Sequence, residues 1–190
     1  TKKPHILFCA HADSPGYIVQ AIKNKKACAI PLGGASFTED KCKAIIKTSD
    51  EKKYKITLRK SDDLGESEVV FNIPKNAVVS KGDRIAFAPT FTETEDGFLE
   101  APFFDNRVGC FLLCELQKNL AENCPYNISF AVTAAEEFTG FGADVLANHL
   151  QADLVICLDA TYTSEEQEVF HNKGPVLTLS DKSILVGSKN

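Results

Sequence analysis

Ile6-Leu7-Phe8-Cys9-Ala10 is an unbroken apolar run near the start of the chain, and residues 128–135 and 154–158 form two further runs of the same kind. A run without alternation is typical of a strand buried on both faces of a parallel sheet. Apolar residues at helical spacing predict helices at residues 106–120 and 142–150. Buried strands that alternate with helices predict an α/β fold.

The middle of the chain has a different pattern. Residues 53–59 alternate polar and apolar side chains, as a half-exposed strand does. Further short β runs are expected at residues 69–71, 85–87 and 98–99, with turns at Asp63-Leu64-Gly65 and Lys81-Gly82-Asp83.

The charge distribution supports two regions. Residues 23–97 contain 14 Lys and Arg against 12 Asp and Glu, whereas the rest of the chain contains 7 and 14. We therefore predict a small β-barrel-like domain over residues 23–97, inserted into an α/β domain formed by residues 1–22 and 98–190.

Composition excludes several classes of protein. With 190 residues, 44% hydrophobic and 25% charged, the chain is typical of a globular protein. No apolar run approaches the roughly 20 residues of a membrane span, and a net charge of −5 argues against a nucleic-acid partner. The chain has no Met and enters an apolar run soon after Thr1, so we expect a piece of a longer protein, incomplete at both ends.

The seven cysteines contain no C-x-x-C pair, and four of them lie inside apolar runs. An odd number of cysteines, several of them in apolar runs, indicates free thiols rather than a disulfide framework. With no secretory segment at the start, we expect a cytoplasmic location.

Acidic and imidazole side chains follow each apolar run or open the helix at residue 106. In chain order they are His11, Asp13, Asp105, Glu136, Glu137 and Asp159. The carboxyl ends of parallel strands meet at one edge of a sheet, where α/β proteins bind ligands. Converging carboxylates repel one another unless a cation lies among them. Imidazole and carboxylate ligands suit zinc, cobalt or manganese, so the pattern predicts a metal site.

Each of these residues also has a structural explanation. Asp105 can serve as the N-cap of the helix that follows it, and His11 alone is more often a hydrogen-bonded core residue. Glu136 and Glu137 would face opposite ways on a regular strand, so both reach one site only at a turn. We expect that turn at residues 138–142. The joint placement of all these side chains favours the metal site.

Four segments resemble, in order, motifs of the glutamyl-aminopeptidase and TET aminopeptidase family, which includes cellulase M-like proteins. His11-Ala12-Asp13-Ser14-Pro15-Gly16 is similar to H-x-D-E-I-G, and Phe104-Asp105-Asn106-Arg107-Val108-Gly109-Cys110 to (L/F)-D-(D/N)-R-x-G-C. Residues 133–143 resemble T-x-x-E-E-x-G-x-x-G-A, and Asp159-Ala160-Thr161 resembles D-V-T. The resemblance covers nearly the whole chain.

The resemblance implies a three-layer α/β/α sheet of the zinc-exopeptidase type and a metallo-aminopeptidase that removes N-terminal residues from peptides. It implies two divalent metal ions, zinc or else cobalt or manganese, held by His11, Asp105, Glu137 and Asp159. Asp105 would bridge the ions, and the Asp105–Asn106 peptide is expected to be cis. Glu136 would be the general base for a metal-activated water, and Asp13 would orient His11.

The resemblance also implies a homo-oligomer, a dimer or a dodecamer, with Val69-Val70-Phe71 as an expected association face. Family members take their last ligand, a His, from a segment far downstream. His171 is a poor substitute, which leaves the activity of this chain alone open.

Two alternatives to the peptidase stay open. A non-catalytic homologue or fragment would keep the fold and part of the metal site, although the presence of Glu136 argues against it. A glycoside hydrolase, endoglucanase-like, would use Glu136 with another carboxylate. It is disfavoured because sugar-binding platforms usually use Trp and the chain has none.

Overall fold

The structure is a computed structural model that describes residues 3–61 and 68–180. The predicted turn Asp63-Leu64-Gly65 lies outside the described residues. The chain divides into two compact units, Thr1–Asp159 and Ala160–Asn190, each treated by itself below. None of the helices in the described ranges has the length and apolar character needed to cross a membrane.

Strands and helices follow one another in the first unit in the order β1 (His5–His11), β2 (Gly16–Lys23), β3 (Lys26–Leu32), β4 (Lys41–Lys47), β5 (Lys53–Lys60), β6 (Val69–Asn72), β7 (Arg84–Phe87), β8 (Thr92–Glu93), β9 (Leu99–Glu100), α1 (Phe104–Lys118), β10 (Asn127–Thr133), α2 (Glu136–Thr139), α3 (Phe141–His149) and β11 (Leu154–Cys157).

Within the described residues, six strands close into a barrel in the order β2-β3-β6-β5-β4-β7. Side chains alternate between its interior and its surface, as the pleat of a strand requires. Ile56 and Leu58 on β5 are buried, whereas Lys55, Thr57 and Arg59, which alternate with them, are exposed. The alternation predicted for residues 53–59 and the β-barrel-like architecture are confirmed.

The barrel begins at Gly16, earlier than the predicted start of the insertion at residue 23. Tyr17-Ile18-Val19 is apolar at three successive positions, so its sequence shows no alternation, yet Tyr17 and Val19 belong to the barrel core. Asn24 and Lys25 both have positive φ, 49° and 63°, as in the tight hairpin turns that match the twist of paired strands. This turn returns the chain from β2 into β3.

Two further expectations about the β-rich region need correction. Val69 and Phe71 point into the barrel core, so Val69-Val70-Phe71 does not supply an apolar association face. The run predicted at residues 98–99 corresponds to β9, which pairs with β8 in a separate two-stranded sheet.

β1 forms the centre of a parallel sheet with the order β10-β1-β11. The three apolar runs are therefore neighbouring strands, as the α/β prediction requires. The register sets His11 beside Thr133 and Cys9 beside Cys157, so the carboxyl ends of all three strands lie at one edge. Helix α1 packs against β1.

The expectation that all three runs are buried on both faces is wrong for β10 and β11. Val132 on β10 is 59% exposed, and Leu154 and Val155 on β11 are 51% and 52% exposed, because the described residues do not cover both faces of these two strands. The apolar face of α1 is likewise open, with Phe111 61% exposed.

The described residues of the second unit, 160–180, include an isolated β-bridge between Ser164 and Val169. His171 belongs to this unit.

Candidate metal centre

His11 is the last residue of β1 and its side chain is 4% exposed. The Nε2 atom lies 3.1 Å from Oδ1 of Asp105 and 3.5 Å from Oδ1 of Asp159. The same atom lies 3.7 Å from Oε2 of Glu136. The structure thus brings three of the predicted carboxylates to one imidazole nitrogen.

Asp105 reaches the site because the start of α1 is irregular. The N-cap is Phe103, with φ of 75°, and its side chain makes no capping hydrogen bond. Asp105 and Asn106 have non-helical dihedral angles inside the helix bounds. Asp105 is therefore not the N-cap, and that alternative is wrong. The Asp105–Asn106 peptide is cis, as expected.

Glu136 and Glu137 both reach the site because the chain turns before them. β10 ends at Thr133, Ala135 adopts the left-handed conformation with φ of 64°, and α2 begins at Glu136. We expected this turn after the pair, at residues 138–142. A left-handed alanine has no sequence signal comparable to the glycine at residue 140, which explains the misplacement.

Asp13 holds this turn in place. Its Oδ1 and Oδ2 atoms accept hydrogen bonds from the backbone N–H groups of Glu136 and Glu137, each at 3.2 Å. Two free N–H groups at the start of a helix favour such a carboxylate. The His11 ring contacts Asp13 mainly through the main chain, with Nδ1 3.2 Å from the Asp13 carbonyl oxygen and 3.7 Å from its Oδ1.

Asp159 lies two residues beyond the end of β11. The Leu158 N–H donates to the Cys9 carbonyl at 2.8 Å and extends the ladder beyond the last strand residue. Since Cys157 pairs with Cys9, Asp159 comes level with His11 at the sheet edge.

The electrostatics of the site show the crowding of negative charge. Burial lowers the pKa of His11, but attraction to Asp159, Glu136 and Asp105 outweighs it and leaves this pKa raised. Burial raises the pKa of Glu136, and the neighbouring carboxylates add to that effect. The pKa of Glu137 rises to about 6, chiefly through burial and then through repulsion by Asp105.

The donor set fits divalent cations. Two groups have ligand atoms within 4.8 Å of one another, namely His11 with Glu136 and Glu137, and His11 with Asp105 and Asp159. The Oε1 atom of Glu137 is buried without a hydrogen-bond partner, which is costly for a carboxylate unless a cation binds it. All four predicted ligands thus belong to groups suited to an ion, whereas bridging by Asp105 stays a prediction.

Asn106 carries no role in the sequence-based prediction, yet its side chain is buried beside this site. Its neighbour Asp105 drew attention because carboxylates are metal ligands, whereas a neutral amide gives no comparable signal.

A comparison with protein families identifies the chain. Residues 74–189 match the model of the M42 glutamyl aminopeptidase family. The chain belongs to the M42 family. The match takes in Asp105, Glu136, Glu137 and Asp159, and the resemblance stated from the sequence is confirmed.

Solved structures similar to this M42 member agree on the fold. A TET aminopeptidase from the marine sediment archaeon Thaumarchaeota archaeon SCGC AB-539-E09 has a TM-score of 0.74 at 20% identity over 88% of this chain and 54% of that chain. The TET1 peptidase of Pyrococcus horikoshii is described as assembling into a tetrahedron or a large octahedral shell. It has a TM-score of 0.69 at 22% identity, over 84% of this chain and 54% of that chain. An endoglucanase from Thermotoga maritima has a TM-score of 0.65 at 22% identity, over 90% of this chain and 54% of that chain. The chain spans about half the length of these structures.

Proposed function

We propose that this chain carries most of the catalytic site of a metal-dependent aminopeptidase, which hydrolyses N-terminal residues from peptides. The observation that supports it most is the convergence of Asp105, Glu136 and Asp159 on Nε2 of His11. Membership of a glutamyl aminopeptidase family supports the reaction class.

In this proposal His11 and Asp159 would hold one ion, Glu137 would hold a second, and Asp105 would be a ligand to both. Bound divalent ions, zinc in the first instance, supply Lewis-acid polarisation of the scissile carbonyl and lower the pKa of a water molecule. Asp13 fixes the turn that presents both glutamates.

Glu136 is the proposed general base. Its carboxylate is about half exposed at the mouth of the site, so it can reach a water molecule, and its pKa is raised. A base whose pKa is nearer the working pH accepts a proton from water more readily and can still return it to the leaving amine.

The test compares Glu136→Gln with the wild-type chain in leucine- and glutamyl-anilide hydrolysis, with Zn²⁺ and Co²⁺ binding followed by calorimetry. Loss of general-base catalysis lowers kcat by about 10²–10⁴-fold, while metal affinity changes little because Glu136 is not a proposed ligand. Glu115→Gln, on the exposed part of α1, is the matched control. Metal binding by the wild-type chain without turnover would instead support a non-catalytic homologue.

A second candidate function is glycoside hydrolysis. One matched structure is described as an endoglucanase, and Glu136 lies among other carboxylates, as in carboxylate-pair glycosidases. Hydrolysis of carboxymethylcellulose in the presence of EDTA would favour this candidate, and its absence beside metal-dependent anilide hydrolysis would reject it.

Architecture and assembly form the last part of the proposal. We infer a three-layer α/β/α catalytic domain into which the barrel is inserted, and a homo-oligomer, since a TET1 peptidase of similar fold is described as assembling into large shells. The seven cysteines are free thiols, which supports a cytoplasmic location. Light scattering of the purified chain tests the assembly.

A further inference from the structure

Asn106 joins the two elements that carry Asp105 and Asp159. Its side chain is 2% exposed. The Nδ2 group donates to the Leu158 carbonyl at 2.7 Å, and Oδ1 accepts a hydrogen bond from the Gly109 N–H at 3.1 Å. One amide thereby links the first turn of α1 to the end of β11.

The orientation of this amide follows from its partners. A carbonyl oxygen can only accept and a backbone N–H can only donate, so Nδ2 must face Leu158 and Oδ1 must face Gly109. No other side chain of this size and zero charge offers both functions in this geometry. A carboxylate would lose the donor and add charge beside Asp105 and Asp159.

Gly109 is shaped to admit the amide. A Cβ built on Gly109 would lie 2.3 Å from Oδ1 of Asn106 and 3.0 Å from the Leu158 carbonyl oxygen. The first distance is shorter than any contact that a real Cβ atom makes, and the second is tighter than most such contacts, so the close approach of α1 to the end of β11 depends on glycine here. The junction of Asn106, Gly109 and Leu158 is therefore closely packed.

The residues on either side of this junction are the proposed ligands. Asp105 immediately precedes Asn106, and Asp159 immediately follows Leu158. Their side chains are 58% and 51% exposed, so packing on the side chains themselves constrains them little. Their spacing is set instead by the backbone, and the Asn106 amide is a direct cross-link between the two backbone segments.

We propose that Asn106 is a positioning residue of the metal centre, which fixes the backbone of Asp105 relative to that of Asp159 through its hydrogen bonds to Leu158 and Gly109. This inference rests on the proposed function. Asn106 acts through the two carboxylates and is not itself a ligand. Removing partners that orient metal ligands commonly costs about 10- to 100-fold in metal affinity.

The experiment uses Asn106→Leu, which keeps the size and loses both hydrogen bonds, and Asn106→Ser, which is smaller and keeps a hydroxyl. The matched controls are Asn119→Leu and Asn119→Ser, because Asn119 also donates its amide to a carbonyl, that of Glu115, at the far end of α1. Co²⁺ affinity and the visible absorption of bound Co²⁺ are measured below the melting temperature of each variant. We expect both Asn106 variants to bind Co²⁺ about 10- to 100-fold more weakly with an altered spectrum, and the Asn119 variants to match the wild-type chain.

A role confined to stability would lower the melting temperature of the Asn106 variants and leave Co²⁺ affinity and spectrum unchanged, and that result would overturn the proposal. If Asn106→Leu fails to fold, the comparison of Asn106→Ser with the wild-type chain tests the proposal.

The amide signal of Asp159 in NMR spectra of the metal-free chain is the second readout. If the wild-type chain binds no Co²⁺, the proposed function falls. The positioning role then stands if Asn106→Ser moves the Asp159 signal and Asn119→Ser does not, and falls if neither does.

Discussion

The barrel and the parallel sheet bury their apolar side chains to different extents. The barrel closes on itself, and Ile46 and Leu58 in its centre have no exposed surface. In the β10-β1-β11 sheet the apolar residues of β11 are about half exposed, and α1 leaves Phe111 open. The barrel core is complete within the described residues, whereas the sheet and its helix keep large apolar faces in contact with solvent.

This difference separates what stabilises the fold from what builds the site. The residues proposed for catalysis all lie at the edge of the more open sheet. They are held there by strand register, by the Asp13 carboxylate and by the Asn106 amide. Stability in the barrel depends on packed volume, and geometry at the site depends on a few directed hydrogen bonds.

The two regions approach each other closely at Gly33. Gly33 follows β3 with φ of 68°, and a Cβ built there would lie 2.9 Å from the Glu137 carbonyl oxygen and 3.2 Å from the Glu137 Cβ. The loop after β3 therefore lies against the segment that presents the two glutamates.

The largest expected effect follows from the barrel core. Leu58→Ala removes a fully buried side chain, and the cavity and lost transfer free energy lower the free energy of unfolding by about 2–5 kcal/mol. Leu112→Ala makes the same chemical change on α1, where the side chain is 45% exposed, and we expect a loss below about 1 kcal/mol. Urea denaturation followed by circular dichroism measures both. Equal losses would contradict the contrast between a packed barrel and an open helix.

Sequence alone predicts well those strands whose pattern is local. Period-two alternation identified β5, and unbroken apolar runs identified β1, β10 and β11 as neighbours in a parallel sheet. The ligand types at the ends of these runs placed His11 and Asp159 at one edge. These predictions work because periodicity and strand-end chemistry depend on residues close together in the chain.

Other features depend on partners far apart in the chain. Tyr17-Ile18-Val19 shows no alternation, so only closure of the barrel reveals that β2 belongs to it. The left-handed Ala135 is stabilised in part by Asp13, more than a hundred residues earlier. The contact of Asn106 with Leu158 is likewise set by tertiary packing, and no local pattern signals it.

An intermediate effect is expected where the two regions touch. In Gly33→Ala the left-handed conformation of the alanine costs about 1 kcal/mol. The added Cβ also forces the segment that contains Glu137 to move. Gly82→Ala is the matched control, since Gly82 has φ of 91° and nothing lies within 4 Å of the added Cβ. We expect similar strain in both variants, with weaker Zn²⁺ binding in Gly33→Ala alone. Calorimetric titration checks this, and equal Zn²⁺ affinity in the two variants would show that the contact does not constrain the site.

The smallest expected effect concerns pH. The pKa of Glu137 in the folded, metal-free chain is about 6, against an ordinary value of 4.5, so the folded state binds this proton more tightly than the unfolded state does. Its contribution to stability is complete below about pH 4.5 and is lost as the pH rises to about 6 and above.

Glu137→Gln removes this decline, and we expect it to be the more stable chain at pH 7 in EDTA. The order should reverse with Zn²⁺, because the wild-type chain gains binding free energy through a ligand that the variant lacks. Melting temperatures across pH 4 to 8, with the exposed Glu122→Gln as control, measure both signs. If the melting temperatures of the wild-type chain and Glu137→Gln change in parallel with pH, ionisation of Glu137 does not destabilise the metal-free chain, and the prediction is wrong.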